Sequence, residues 1–98
     1  MNASLKTIKG SDNIFLDLGF PVVEAQNLLL RTDLMIKIEQ FVRKSGLVQS
    51  EAAEMLGITQ PRLNDVLKGR IEKFSLDALV NMLARAGMEV KMTVKKSA

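Results

Sequence analysis

The sequence of 98 residues contains no cysteine, no histidine, no tryptophan and no tyrosine. Without cysteine, the chain has no disulfide, no thiol nucleophile and no Cys-ligated zinc or iron–sulfur cluster. Without histidine, it lacks the commonest general base and the commonest neutral metal ligand. Enzymes of the Ser-His-Asp and Cys-His types are therefore excluded, and we expect no catalytic residue, no metal and no cofactor.

Long hydrophobic runs are also missing, although 47% of the residues are apolar. Uncharged stretches such as residues 25–30 fall well short of the roughly 18 apolar residues that a membrane span needs. The two lysines within residues 1–9 are not followed by an apolar stretch, so we expect no secretory signal. These absences predict a cytoplasmic protein. The net charge of +3 is compatible with a nucleic-acid partner but does not indicate one by itself.

The length predicts a single domain, since a domain commonly has roughly 100–200 residues. Residues 1–13 are polar and end in a cluster of Gly, Ser, Asp and Asn, which predicts a flexible N-terminal arm. Residues 14–20 are too apolar to remain in solvent. We expect them to form a short docked segment or a short strand at the start of a domain that spans 14–95.

Apolar residues at helical spacing, together with glycine stops, predict four helices. The first covers 22–45, unless it breaks near Thr32-Asp33 into two. Two short helices follow, and a last helix is capped by Ser75, a residue type that commonly caps helix N-termini. The predicted ranges after the first helix are 49–56, 60–68 and the segment between Ser75 and Gly87. The fold class is therefore mainly α, a small helical bundle.

The tail has a different period. Apolar and polar residues alternate strictly over 88–95, which predicts a half-buried C-terminal β-strand. An unpaired strand with an apolar face is an aggregation hazard, so this one is expected to pair with residues 14–20, with a symmetry mate, or with both. We favour a homodimer in which the strand takes part, and the alternative is a monomer with an internal strand pair.

Residues 46–69, GLVQSEAAEMLGITQPRLNDVLKG, contain the most informative motif. Two short helices are joined by a tight turn at Gly57-Ile58, and the small Ala52 and Ala53 lie where the helices must cross. This is the construction of a helix-turn-helix. The second helix has a polar outer face and a width that fits the major groove of DNA, and its N-terminal amides suit a phosphate.

The motif resembles the helix-turn-helix of the Cro/CI-repressor or XRE type, in which G-L-T-Q-x-x-A-x-x-L-G-[IV]-[ST]-Q is typical. The match includes Gly46, Leu47, Gln49, Leu56, Gly57, Ile58, Thr59 and Gln60. The resemblance extends over about residues 14–95 to one small XRE subfamily, the HigA-like antitoxins of type II toxin–antitoxin pairs. It implies a lambda-repressor-like fold and binding to double-stranded DNA.

The resemblance also implies which residues bind DNA. Gln49 would contact phosphate and support Gln60. Arg62, Asn64 and Asp65 would face bases, whereas Lys68 and Arg70 would neutralise phosphates. The full predicted set is Gln49, Thr59, Gln60, Pro61, Arg62, Asn64, Asp65, Lys68 and Arg70.

Two positions depart from the family pattern. Val48 replaces the usual Thr N-cap, so the first motif helix is less well capped. Asp65 brings a negative charge near DNA, which would be useful only if it reads a cytosine or pairs with Arg62. A further interpretation of Arg62 and Lys68 is that they are solvated helix charges without a role in DNA binding.

The first functional hypothesis is a sequence-specific transcriptional regulator of the repressor type, with no catalytic step. It would act as a homodimer that binds a palindromic DNA site and occludes a promoter, and as an antitoxin it would repress its own operon. The second hypothesis is a protein-interaction module whose main role is to neutralise a cognate toxin. Residues 1–20 are then the candidate docking element, because they could become ordered on a partner.

Overall fold

The computed structural model describes residues 13–96. Five α-helices and one short 3-10 helix follow one another along the chain. They are α1 Ile14–Asp17, α2 Val22–Ser45, α3 Gln49–Leu56, α4 Gln60–Leu67, the 3-10 helix Ile71–Lys73 and α5 Leu76–Arg85. The predicted mainly helical fold is therefore confirmed. Within residues 13–96, no helix combines the length and the apolar character needed to cross a bilayer.

The hydrophobic core lies between α2 and the three helices α3, α4 and α5, which all pack against it or against one another. Its members are apolar side chains with little or no solvent exposure. They are Met35, Ile38, Ala52, Ala53, Leu56, Leu63, Val66, Phe74, Leu79, Met82 and Leu83. Both α3 and α4 contribute buried residues to this core, in which they pack with residues of α2 and α5. These contacts fix the position of the helix-turn-helix.

Helix α2 is continuous over 24 residues. The predicted alternative of a break near Thr32-Asp33 is wrong. The helix ends at Gly46, whose φ of 72° is left-handed, the conformation in which glycine commonly terminates a helix. The middle and the C-terminal part of α2 contribute to this core, whereas Ala25 and Leu28 near its N-terminus are buried outside it.

Residues 14–20 do not form a strand, and they are docked only at Phe15 and Leu16, which are half-buried, whereas the rest of the segment is exposed. Their first part is the one-turn helix α1, which packs against α2. Asn13 is 6% exposed; its side chain accepts from the Phe15 N–H and donates to the Ala25 carbonyl at 3.1 Å. Asn13 thus anchors the point at which the predicted arm ends. The rest of that arm, residues 1–12, lies outside the described residues.

The predicted C-terminal β-strand is wrong for the part of the chain that the structure describes, which contains no strand. A strand needs a ladder partner, and the partner expected within the chain, residues 14–20, is helical at residues 14–17. The alternation of the tail has a different cause. Met88 and Val90 pack against the core, whereas the following Met92 and Val94 are exposed.

The turn between α3 and α4 depends on Gly57, which has a φ of 74°. A Cβ atom built there would overlap the side chain of Arg85, which lies across the turn from α5. Side chains at such a φ cost roughly 1–2 kcal/mol in strain, so Gly57→Ala is expected to lower the free energy of unfolding by at least that amount. Thermal or urea unfolding measures the change.

Gly46→Ala is the matched control for this prediction. Gly46 has nearly the same φ of 72°, but in the described part of the chain no side chain or remote backbone atom lies within 4 Å of the position that a Cβ atom would take there. The cost at Gly57 should therefore exceed the cost at Gly46, since only at Gly57 must Arg85 also move. Equal costs at the two positions would show that Arg85 does not constrain the turn.

Candidate nucleic-acid interface

Helices α3 and α4 pack against each other. On α3, the small residues Ala52 and Ala53 are 0% and 3% exposed, so the buried face of this helix is formed in part by small side chains. The Thr59 hydroxyl accepts from the Arg62 N–H at 3.3 Å, which confirms Thr59 as the N-cap of α4. The inner face of α4 is fixed in the core by Leu63 and Val66. Val48 makes no side-chain capping bond at α3, as predicted.

The outer face of α4 and the segments beside it are accessible. Arg62, Asn64 and Asp65 are half-buried at the surface of α4. The remaining predicted residues are exposed, namely Gln49, Thr59, Gln60, Pro61, Lys68 and Arg70. No hydrogen bond joins the side chains of Gln49 and Gln60 in the described chain, so the expected support between them is not formed in this structure.

The N-terminus of α4 offers a single backbone donor rather than a cluster. Pro61 has no N–H, and the Arg62 N–H is taken by the Thr59 cap. Of the first three residues of α4, Gln60 alone keeps an N–H without an acceptor within residues 13–96. The predicted phosphate site at this helix end is therefore limited to that one amide.

Arg62 lies against the ring of Phe74. Its guanidinium carbon is 4.4 Å from the ring centroid, which is the geometry of a cation–π contact. Phe74 is 2% exposed and belongs to the core, so the ring is a fixed platform. Stacking uses the face of the guanidinium and leaves N–H donors at its edges, so Arg62 can still donate hydrogen bonds outward.

Asp65 faces two cations that follow it in sequence. Its carboxylate oxygens lie 3.7 Å from Arg70 Nη1 and 3.6 Å from Lys73 Nζ. These are its ion pairs in the described chain, and Arg62 is not among them. The Asp65 carbonyl also accepts from the Arg70 N–H at 3.0 Å, so the local backbone holds the group together. Lys73 was not among the residues that the sequence indicated.

Arg31 is a second residue that the sequence did not indicate. Its Nη1 donates to the carbonyls of Ile71 and Phe74 at 3.1 Å and 3.2 Å, and its Nε donates to Asn27 Oδ1. These bonds connect the middle of α2 to both ends of the 3-10 helix. Arg31 therefore positions the segment that carries Arg70, Lys73 and the Phe74 ring.

Residues 14–95 match the model of a family described as a helix-turn-helix domain. The chain belongs to this helix-turn-helix family. No individual curated protein matches it. The helix-turn-helix inferred from residues 46–69 is thus confirmed, and family membership supports the prediction that this protein binds DNA. Within residues 13–96, no cluster of acidic side chains is arranged to hold a metal ion.

The charges of the helix-turn-helix protein are unevenly distributed. Residues 60–73, which run from α4 through the 3-10 helix, contain four basic and two acidic side chains. Residues 13–30, which form α1 and the start of α2, contain two acidic side chains and no basic one. The basic residues of 60–73 therefore suit a polyanion, whereas residues 13–30 do not.

Proposed function

We propose that the helix-turn-helix protein is a sequence-specific transcriptional regulator of the repressor type. The observation that carries this proposal is the accessible polar face of α4, which is held rigidly by a buried inner face. A helix presented in this way can enter the major groove, where each base pair displays a distinct pattern of donors and acceptors. The proposal includes no catalytic step, and it places the protein in the cytoplasm.

Eight of the nine residues predicted to bind DNA remain the proposed contact set; Asp65 is left out because its carboxylate faces Arg70 and Lys73. Arg62 would donate to base edges from its platform on Phe74, and Asn64 is available for the same purpose because no hydrogen bond within residues 13–96 engages its side chain. Exposed Lys68 and Arg70 would meet phosphates. In this proposal the protein is of the XRE type and acts as a homodimer on a palindromic operator.

The exposed end of the tail supports the dimer. Met92 and Val94 are 54% and 90% exposed, in a segment that follows the core-packed Met88 and Val90. Contact with the same segment of a second copy would remove both side chains from water. The two copies of α4 would then need a separation of about 34 Å, one turn of DNA, to bind two half-sites.

Binding to the DNA upstream of its own gene, compared with scrambled DNA over a series of salt concentrations, tests the proposed function. A saturable preference for the upstream fragment with a steep salt dependence is expected. The symmetry of the protected site would then report the dimer geometry. Equal and weak binding to both DNAs would contradict autoregulation and favour a role in binding protein.

A second function, neutralisation of a cognate toxin, is favoured by the surface at the α1 end of the molecule. Apolar side chains are exposed there on both sides of the Gly19 turn, including Leu18 at 67% and Val23 at 83%. Asp17 and Glu24 lie in the same segment, which has no basic residue. An apolar patch with acidic neighbours suits a small basic protein such as a ribonuclease-like toxin.

Leu18→Lys tests this second function. If the product of the neighbouring gene is such a toxin, the substitution should weaken its binding by about tenfold or more, equivalent to about 1.4 kcal/mol, because it replaces an apolar contact by a like charge. Isothermal titration with the purified toxin measures the effect. Met55→Lys, at another exposed apolar position, is the control. Equal affinities for both variants would exclude the α1 surface.

A further inference from the structure

Asp65 occupies an unusual place for an acidic residue on a DNA-binding surface. Its side chain is 22% exposed, and it lies between the cations of Arg70 and Lys73, each 46% exposed. In the proposed complex, phosphates approach this surface. A phosphate that approached the same two cations would be repelled by the nearby carboxylate, so the two anions would compete for them.

We propose that Asp65 limits the affinity for DNA by competing with phosphate for Arg70 and Lys73, and that Lys73 is a further phosphate contact. This inference rests on the proposed function. Asp65 would then act through its ion pairs with Arg70 and Lys73 and would not read a cytosine. Both ion pairs are partly exposed and longer than an ideal contact, so their exchange for phosphate is energetically accessible.

The local structure lets the cations move without unfolding the segment. The backbone between α4 and the 3-10 helix is held by the bond from the Arg70 N–H to the Asp65 carbonyl and by the two bonds that Arg31 donates. None of these bonds uses a side chain of the ion pairs. Loss of the Asp65 carboxylate should therefore free both cations while the backbone stays in place.

Asp65→Asn is the first test, with binding to upstream and scrambled DNA measured at low salt. The expected result is tighter binding to both DNAs by about three- to tenfold, the order of one added phosphate contact. Glu72→Gln is the matched control, since Glu72 is an exposed acid in the 3-10 helix that carries Lys73 and forms no ion pair within residues 13–96. It should tighten binding clearly less.

A double-mutant cycle with Lys73→Ala tests the competition itself. If Asp65 holds Lys73 away from phosphate, removal of Lys73 should weaken DNA binding more in the Asp65→Asn background than in the parent protein. Circular dichroism and thermal unfolding of each variant establish that all are folded. The cycle compares ratios of dissociation constants between the parent, the two single variants and the double variant, so the general effect of net charge on DNA affinity cancels.

Three results would overturn the inference. Weaker binding of Asp65→Asn to upstream DNA alone would assign base reading to Asp65. Weaker binding to both DNAs would mean that the carboxylate positions the cations for phosphate. Equal tightening by Asp65→Asn and Glu72→Gln, with no coupling to Lys73, would reduce the effect to net charge. Failure of the parent protein to bind either DNA would instead contradict the proposed function itself.

Discussion

Phe74→Ala is expected to lower the free energy of unfolding by about 3–5 kcal/mol, the usual cost of removing a buried phenylalanine ring. Phe74 is 2% exposed and immediately precedes Ser75, which caps α5. The substitution would leave a cavity beneath α4 and remove the platform of Arg62. Urea unfolding followed by circular dichroism measures the loss. A protein of this size has little stability to spare, so a largely unfolded variant is consistent with the expectation.

Phe20→Ala is the control for Phe74. Phe20 contacts Phe15 edge to face at the α1 surface, with ring centroids 6.0 Å apart, but it is 38% exposed. Its removal should cost far less than removal of Phe74. If the two substitutions had equal effects, Phe74 would not belong to the core between α2 and the helices α3, α4 and α5.

Arg62→Ala is expected to weaken binding to the cognate DNA by about 1–3 kcal/mol and to relax the base preference at the contacted position. The physical reason is the loss of a planar donor group that Phe74 holds at the surface of α4. Titration of labelled cognate and scrambled DNA measures both affinities. An equal loss on scrambled DNA would identify Arg62 as a phosphate contact and contradict base reading.

The structural role of Arg62 needs its own control, because the cation–π contact stabilises the fold by about 0.5–2 kcal/mol. Arg62→Lys keeps the charge but loses the planar fork of donors. It should retain binding to scrambled DNA and lose discrimination at the cognate site. Lower thermal stability of Arg62→Ala with unchanged DNA binding would show that the residue acts only on the fold.

The elements that the sequence predicted well are those with local determinants. The bounds of α3 agree with the prediction, and α4 ends one residue earlier than predicted. The agreement is close because Gly57 ends α3 and Thr59 caps α4, and both residues are adjacent in sequence to the helix that they delimit. The helix-turn-helix itself followed from the same short-range signals. Local chemistry therefore accounts for the part of the chain that is proposed to face DNA.

The features that sequence patterns missed depend on residues far apart in the chain. Arg31 lies 40 and 43 residues from the two carbonyls that it binds, and no periodicity marks such a pair. The contact of Arg62 with Phe74 is equally invisible in the sequence. In the tail, the alternation of apolar and polar residues over 88–95 is typical of a strand with one apolar face, but the pattern carries no information on whether a partner strand exists.

The stacking of Arg62 on a core ring also has an entropic consequence. A free arginine side chain has roughly 2 kcal/mol of rotamer entropy to lose on becoming ordered. Here part of that loss occurs when the protein folds, because Phe74 already restricts the guanidinium. The hydrogen bonds that Arg62 would form with a base edge are therefore opposed by a smaller ordering cost than those of a solvated arginine. Folding, in this sense, prepares the side chain for recognition.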